Sequence, residues 1–253
     1  MAHRETYAPG TPCWVDLTTP DVAGAIAFYG GLFGWTAREA PDADYLHLER
    51  DGQRVAGLAP QDADAGVPPA WAVYVAVEDV EAAADRARAL GASVLAGPTT
   101  IGDAGRMAAL ADPLGASFQL WEAGAFHGAA LVNDVGAWAW NDLQTSDPAA
   151  AGPFYGELFG WQITEIPGSN GAYRSIAHDG RAIGGILTTP GARRSAWATY
   201  FGVASAADTL DAIEAAGGRR LTEPLDVPAG RFAGAADPAG AVFSIVEATT
   251  FDP

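Results

Sequence analysis

Two aspartates stand at matching places in a repeated segment: Asp16 in Trp14-Val15-Asp16-Leu17 and Asp142 in Trp140-Asn141-Asp142-Leu143. A carboxylate among apolar neighbours has its pKa raised by desolvation, which suits it to general acid or base catalysis or to accepting a hydrogen bond from a ligand. The competing role is structural, with the carboxylate satisfying a backbone amide or an arginine. Arg106 and Arg231 each follow a glycine at the start of a late strand, and a guanidinium there can fork onto a ligand carboxylate or phenolate, or pair with Asp16 or Asp142. Alternation along a strand puts Trp14 with Asp16, Ala72 with Tyr74, and Ser117 with Gln119 and Trp121 on one sheet face. The second set is Trp140 with Asp142, Ala198 with Tyr200, and Ser244 with Val246. Asp16 and Asp142 are therefore the catalytic candidates. The ligand-binding candidates are Trp14, Tyr74, Arg106, Gln119, Trp121, Trp140, Tyr200, Arg231 and Ser244.

Other chemistries find no support. Cys13 is the only cysteine, which excludes an intramolecular disulfide framework and any paired-cysteine zinc or iron–sulfur site, and fits a reducing cytoplasm. It has no histidine arranged for nucleophilic catalysis and reads as a buried inert thiol. The 31 glycines form no phosphate-cradling motif. His3, His47, His127 and His178 read as scattered surface residues, since none of the last three has a partner at the repeat-equivalent position.

The elements that must position these residues come in duplicate. Residues 14–35 align without a gap to residues 140–161, with 14 of 22 positions identical. The same offset of 126 pairs Trp71 with Trp197 and Tyr74 with Tyr200, and an offset of 125 pairs Asp112-Pro113 with Asp237-Pro238. The chain is a duplication, read as two halves, 1–127 and 128–253, joined by a connector of small residues between Trp121 and Trp138. In the first half an extended segment is followed by a helix that Asp21 caps and Gly34 ends; in the second, Asp147 with Pro148 at the first helical position and Gly160 play those parts. Short extended runs follow, and the β-α-β-β-β order then repeats within each half. Four such units imply an α+β fold with helices on one face of two curved, cup-shaped sheets. Trp35, Trp161, Phe28, Tyr29, Phe154 and Tyr155 read as helix-to-sheet packing, and the two Asp-Pro pairs as turn formers.

Fourteen basic against 31 acidic residues give a net charge of −17, which repels nucleic acids and anionic membranes. No apolar run reaches a membrane-spanning length. The expectation is a soluble cytoplasmic protein, monomeric or homodimeric, whose partner is a small molecule.

Phe28-Tyr29, Phe154-Tyr155 and the late turns Asp112-Pro113-Leu114-Gly115 and Asp237-Pro238-Ala239-Gly240 resemble the vicinal oxygen chelate superfamily of glyoxalases, extradiol dioxygenases and bleomycin-resistance proteins. The segments Gly10 to Leu17, Ala27 to Trp35, Trp71 to Val77 and Gly105 to Glu122 are similar to the tandem glyoxalase-like proteins of actinobacteria, including the secreted mycobacterial antigen type. The resemblance implies metal-ligand positions on the first and last strands of each unit. Those positions hold Trp14, Trp140, Ala72 and Ala198 at strand openings, Ala56 or Gly57 and Gly184 or Gly185 in the middle, and Gln119 and Ser244 at the end. Only Gln119 offers even a weak oxygen donor, so no metal or other cofactor is expected. The sequence therefore points first to a metal-free binder of an aromatic or polyketide-like metabolite, next to a metal-independent isomerase, cyclase or hydratase, and last to a metal-dependent glyoxalase or dioxygenase.

Overall fold

The computed structural model describes residues 2–40, 44–227 and 230–249. A short strand β1 (Ala2–His3) precedes the first unit, which comprises β2 (Pro12–Thr19), α1 (Val22–Phe33), β3 (Thr36–Glu39), β4 (Leu46–Arg50) and β5 (Gln53–Pro60). The second unit is β6 (Ala70–Val77), α2 (Val80–Ala89), β7 (Ser93–Ile101), β8 (Gly105–Ala111) and β9 (Ser117–Ala123). A connector strand β10 (Leu131–Val132) leads to the third unit, β11 (Trp138–Thr145), α3 (Pro148–Phe159), β12 (Gln162–Glu165), β13 (Tyr173–His178) and β14 (Arg181–Thr188). The fourth is β15 (Ala196–Gly202), α4 (Ala206–Ala215), β16 (Arg219–Arg220), β17 (Leu225–Val227), β18 (Gly230–Ala236) and β19 (Val242–Ala248).

The first two units share one sheet in the order β3-β4-β5-β2-β6-β9-β8-β7, and the last two share another in the order β12-β13-β14-β11-β15-β19-β18-β16. Each unit pairs its first strand with its last in parallel, and two units meet through their first strands, antiparallel: β2 with β6, β11 with β15. Both sheets are open. The second also carries β17 on β18 and, through β10, the N-terminal β1.

Local sequence explains the helix ends. Asp21 Oδ1 accepts from the Gly24 amide at 2.9 Å, and Asp147 Oδ1 from Ala150 at 3.0 Å, each satisfying an amide that has no partner within its helix. Gly34 and Gly160 close the two helices at φ of 73° and 75°, a left-handed conformation that favours glycine.

The helices α1 and α3 hold the halves together. Phe33 of α1 packs against Phe201 of the second sheet, with centroids 5.4 Å apart, while Phe118 of the first sheet lies 5.7 Å from Tyr155 of α3. The bonds duplicate as well. Tyr29 donates to Asp237 at 3.1 Å and Tyr155 to Asp112 at 2.9 Å, so the aspartates of the Asp-Pro turns also act across the seam. Trp35 Nε1 donates to Gly136 O at 2.7 Å, and Trp161 Nε1 to Gly10 O at 2.6 Å. With apolar helix faces buried on the convex sides, the concave faces are left to the polar and aromatic residues. No helix among the described residues is long and apolar enough to cross a membrane.

Candidate ligand-binding site

On the first concave face Asp16 Oδ2 accepts from the Tyr74 hydroxyl at 2.7 Å and from the Tyr45 hydroxyl at 3.1 Å, and Trp14 Nε1 donates to the Tyr45 oxygen at 2.8 Å. The second face repeats the arrangement. Asp142 Oδ1 accepts from the Tyr173 hydroxyl at 2.8 Å and from Trp140 Nε1 at 2.9 Å, and Tyr200 is bonded to the same carboxylate. Strand register explains the convergence: Asp16 stands beside Ala72 on β6 and Gly57 on β5, and Asp142 beside Ala198 on β15 and Gly185 on β14. These partners are small for a physical reason. A Cβ on Gly57 would overlap the Tyr45 hydroxyl, and one on Gly185 the Tyr173 hydroxyl.

Both carboxylates are buried, at 4% and 5% exposure. Burial pushes Asp16 up to about 6, against the phenol hydrogen bonds that favour its ionised form, and raises Asp142 for the same reason. Burial and the adjacent carboxylate lift Tyr45, Tyr74, Tyr173 and Tyr200 above the ordinary phenol range. Near neutral pH the first cluster is thus a carboxylate backed by neutral phenols, and the second repeats it with a carboxyl raised by the same burial and with phenols that are likewise neutral. Their oxygen lone pairs remain able to accept from a ligand hydroxyl.

The two faces differ in closure. On the first, the connector residue Phe126 is wedged against Trp14 (centroids 4.9 Å apart) and His47 (5.1 Å), and Trp121 Nε1 donates to its carbonyl at 2.9 Å. Trp14, Tyr74, Trp121 and Phe126 are all buried. Beside Tyr74, the buried Oε1 of Gln119 has no partner among the described residues. On the second face Trp140, Tyr173 and Phe232 are only half-buried. Phe232 lies 6.2 Å from Tyr200 and pairs across strands with Leu225, which is 55% exposed, so an apolar lip borders the polar cluster. Ser244 stands beside Tyr200 and bonds it, where the first face has Gln119 beside Tyr74.

Arg106 and Arg231 lie elsewhere, contrary to their reading as cup residues. Arg106 pairs with Glu81 at 2.7 Å, and Arg231 with Asp226 at 2.6 Å. Their cross-strand neighbours are Glu122 and Glu247, whose carboxylates accept from the first amides of α2 and α4, so both arginines belong to the helix side of their sheets. Met107, one residue on, faces Trp121 instead. The histidines need a correction too, because His47 is not a scattered surface residue but packs on Phe126 and Trp14. Tyr45 and Tyr173 were absent from the sequence-derived site. Their signal was a matching offset of 128, shared by Gly57 and Gly185.

Residues 13–120 match the Glyoxalase/Bleomycin resistance protein/Dioxygenase superfamily, and residues 128–246 match the Glyoxalase-like domain. The chain belongs to the glyoxalase/bleomycin resistance/dioxygenase superfamily. It is 39% identical to "Putative glyoxylase CFP32" of Mycobacterium tuberculosis, covering 98% of each chain. It is 36% identical to "Anthracycline biosynthesis protein DauV" of Streptomyces sp., covering 95% of this chain and 94% of that one. The fold is similar to that of the Mn(II)-bound glyoxalase from Novosphingobium aromaticivorans, with TM-score 0.66, 16% identity, and coverage of 97% of this chain and 85% of that one.

A divalent cation is what this superfamily's metal-dependent members would place on a concave face, and the side chains here do not fit one. The first- and middle-strand positions where donors would stand carry indole, methyl or hydrogen side chains at Trp14, Ala72 and Gly57, and at Trp140, Ala198 and Gly185, and the last-strand positions hold Gln119 and Ser244, of which Gln119 is a weak amide donor and Ser244 a hydroxyl. The space over each glycine is filled by a phenol. No three His, Cys, Asp or Glu side chains among the described residues are grouped to hold a metal ion. One carboxylate per face does not make a coordination sphere for a catalytic cation.

Proposed function

We propose that this protein is a metal-independent small-molecule binding protein whose ligand is a planar, hydroxylated aromatic metabolite of the polyketide kind, seated on the second concave face. The observation that carries the reading is the Trp140, Asp142, Tyr173 and Tyr200 cluster, a fixed polar array beside an apolar lip. Concave sites of this composition bind small ligands through apolar contact and take their specificity from a few placed polar groups. Phenol oxygens held by a carboxylate accept from ligand hydroxyls, and Trp140, Phe232 and Leu225 offer faces to a flat ring system. The name of DauV supports the ligand class, since anthracyclines are fused-ring hydroxylated aromatics. The first face, closed by Phe126, serves as the scaffold half.

The test is a titration with a hydroxyanthraquinone in the presence of chelator, followed by tryptophan fluorescence. Saturable quenching is expected, weakened about tenfold in Asp142→Asn and in Tyr200→Phe, the loss of roughly 1.4 kcal/mol of binding. A flat response across hydroxyanthraquinones and hydroxynaphthoquinones overturns the reading. A second reading, an acid–base enzyme acting through Asp142, draws on the raised pKa of that buried carboxyl. In that case Asp142→Asn abolishes turnover and leaves binding intact.

A further inference from the structure

Beyond the Asp142 cluster the second concave face continues as an open floor. Asp142 stands beside Ala198 on β15, and the strands that follow carry Ser244 opposite Gly234 and Val242 opposite Ala236. Ser244 bonds Tyr200, so by alternation Val242, two residues before it on β19, faces the same side. The Leu221 amide donates to Gly234 O at 2.9 Å, and the Leu221 Cβ lies 3.7 Å from where a Cβ on Gly234 would stand, which puts this side chain over the same face. Leu225 reaches it as the cross-strand partner of Phe232. Val242, Leu225 and Leu221 are 56%, 55% and 40% exposed.

The duplication supplies an internal control. Strand pairing matches Val242 with Ser117, which face Ala236 and Ala111 at the same step of their hairpins. It matches Leu225 with Thr99, the partners of Phe232 and Met107, and Leu221 with Ala96, the neighbours of Gly234 and Ala109. At all three places the larger apolar side chain stands on the second face, where the cup is open, and the smaller or hydroxylated one on the first, where Phe126 closes it. An exposed apolar side chain standing alone needs no explanation, but three changed in one direction on a single open floor mark a surface that something apolar covers.

We propose that this floor carries the body of the ligand and that Val242, Leu221 and Leu225 select for its length, so that the ligand is a linear run of at least three fused rings with its hydroxyls at the Asp142 cluster. The inference rests on the reading of the second face as the ligand seat. From β11, which carries Asp142, to β17, which carries Leu225, there are four strand spacings, at most about 19 Å along the sheet. A one- or two-ring ligand held at Asp142 stops short of Leu225, whereas three or four rings laid across the strands pass over Ala198 and Val242 toward the lip. Burial of each further ring against these side chains adds apolar contact without asking for another polar group.

Tryptophan quenching of the whole chain by a dihydroxynaphthoquinone, a dihydroxyanthraquinone and a dihydroxynaphthacenequinone, which have two, three and four fused rings, tests this. Affinity is expected to rise about tenfold or more from two rings to three. Val242→Ser and Leu225→Thr install the first face's residues at exposed positions, so the melting temperature should hold. Each should weaken the three-ring ligand several-fold and the two-ring ligand by less than about twofold. Asp142→Asn, by contrast, should weaken all three ligands alike. No saturable quenching by any of the three overturns the reading of the second face together with this inference. Saturable binding whose strength ignores ring number, or ignores both Val242→Ser and Leu225→Thr, overturns this inference alone.

Discussion

The Tyr45 hydroxyl occupies the volume that a Cβ on Gly57 would take, and Tyr173 stands in the same relation to Gly185. This explains why a strand position that could carry a metal donor holds a hydrogen atom instead. Gly57→Ala should therefore destabilise the fold by about 1–3 kcal/mol, because the clash is with a ring fixed by Asp16 and Trp14 rather than with a flexible side chain. Combining it with Tyr45→Ala should give a strongly non-additive double-mutant cycle in denaturant unfolding. Simple additivity would mean the hydroxyl and the glycine are not coupled.

Asp16 should make stability depend on pH. Its folded pKa is about 6 against an ordinary 3.8, so between these values the folded chain binds more protons than the unfolded chain. The contribution is fully present below pH 3.8 and is lost as the pH rises through 6. The difference corresponds to about 3 kcal/mol at most. Asp16→Asn removes this loss, so its stability relative to the parent should grow between about pH 4 and pH 6 and then level off. Chemical unfolding at several pH values checks the sign; a parallel pair of curves would contradict it.

Phe126→Ala should open the first concave face. Removing a buried phenyl ring costs about 3 kcal/mol or more, and it frees Trp14, which is 2% exposed in the intact chain. A red shift in tryptophan emission is expected, with binding of the hydroxyanthraquinone extending to a second equivalent. Unchanged emission would show that the connector does not close the face.

Across the seam, Tyr155→Phe leaves Asp112 without one of its donors in a buried place, and Tyr29→Phe does the same to Asp237. Each should cost about 1–3 kcal/mol, and similar losses from the two would follow from the duplicated geometry. Thermal unfolding of the two single variants measures this.

The duplicated segment made the architecture legible, because 14 identities in 22 positions carry the capping aspartates, the terminating glycines and the packing tyrosines together. Trp14, Asp16 and Tyr74 could be placed on one face by alternation, and the structure joins them through hydrogen bonds, as it does Trp140, Asp142 and Tyr200. Tyr45 and Tyr173 escaped because one stands just before β4 and the other at the first residue of β13, and because they sit at an offset of 128, outside the gap-free alignment. Arg106 and Arg231 were misplaced for a different reason: position at a strand start says nothing of side, and only the pairing with Glu122 and Glu247 reveals it. The cross-seam role of Asp112 and Asp237 was hidden because their turn geometry alone accounts for the residue type.

On the proposed reading, a Trp–Asp–Tyr–Tyr cluster stands on each concave face where a metal-dependent relative would hold its ion. The most direct measurement is the metal content of untagged protein purified without chelator, together with the shift in melting temperature on adding Mn, Fe, Ni or Zn ions, since a bound ion stabilises the folded state by mass action. Negligible metal and no thermal shift are expected. One tightly held ion per chain or per half, with a matching rise in melting temperature, would contradict the account.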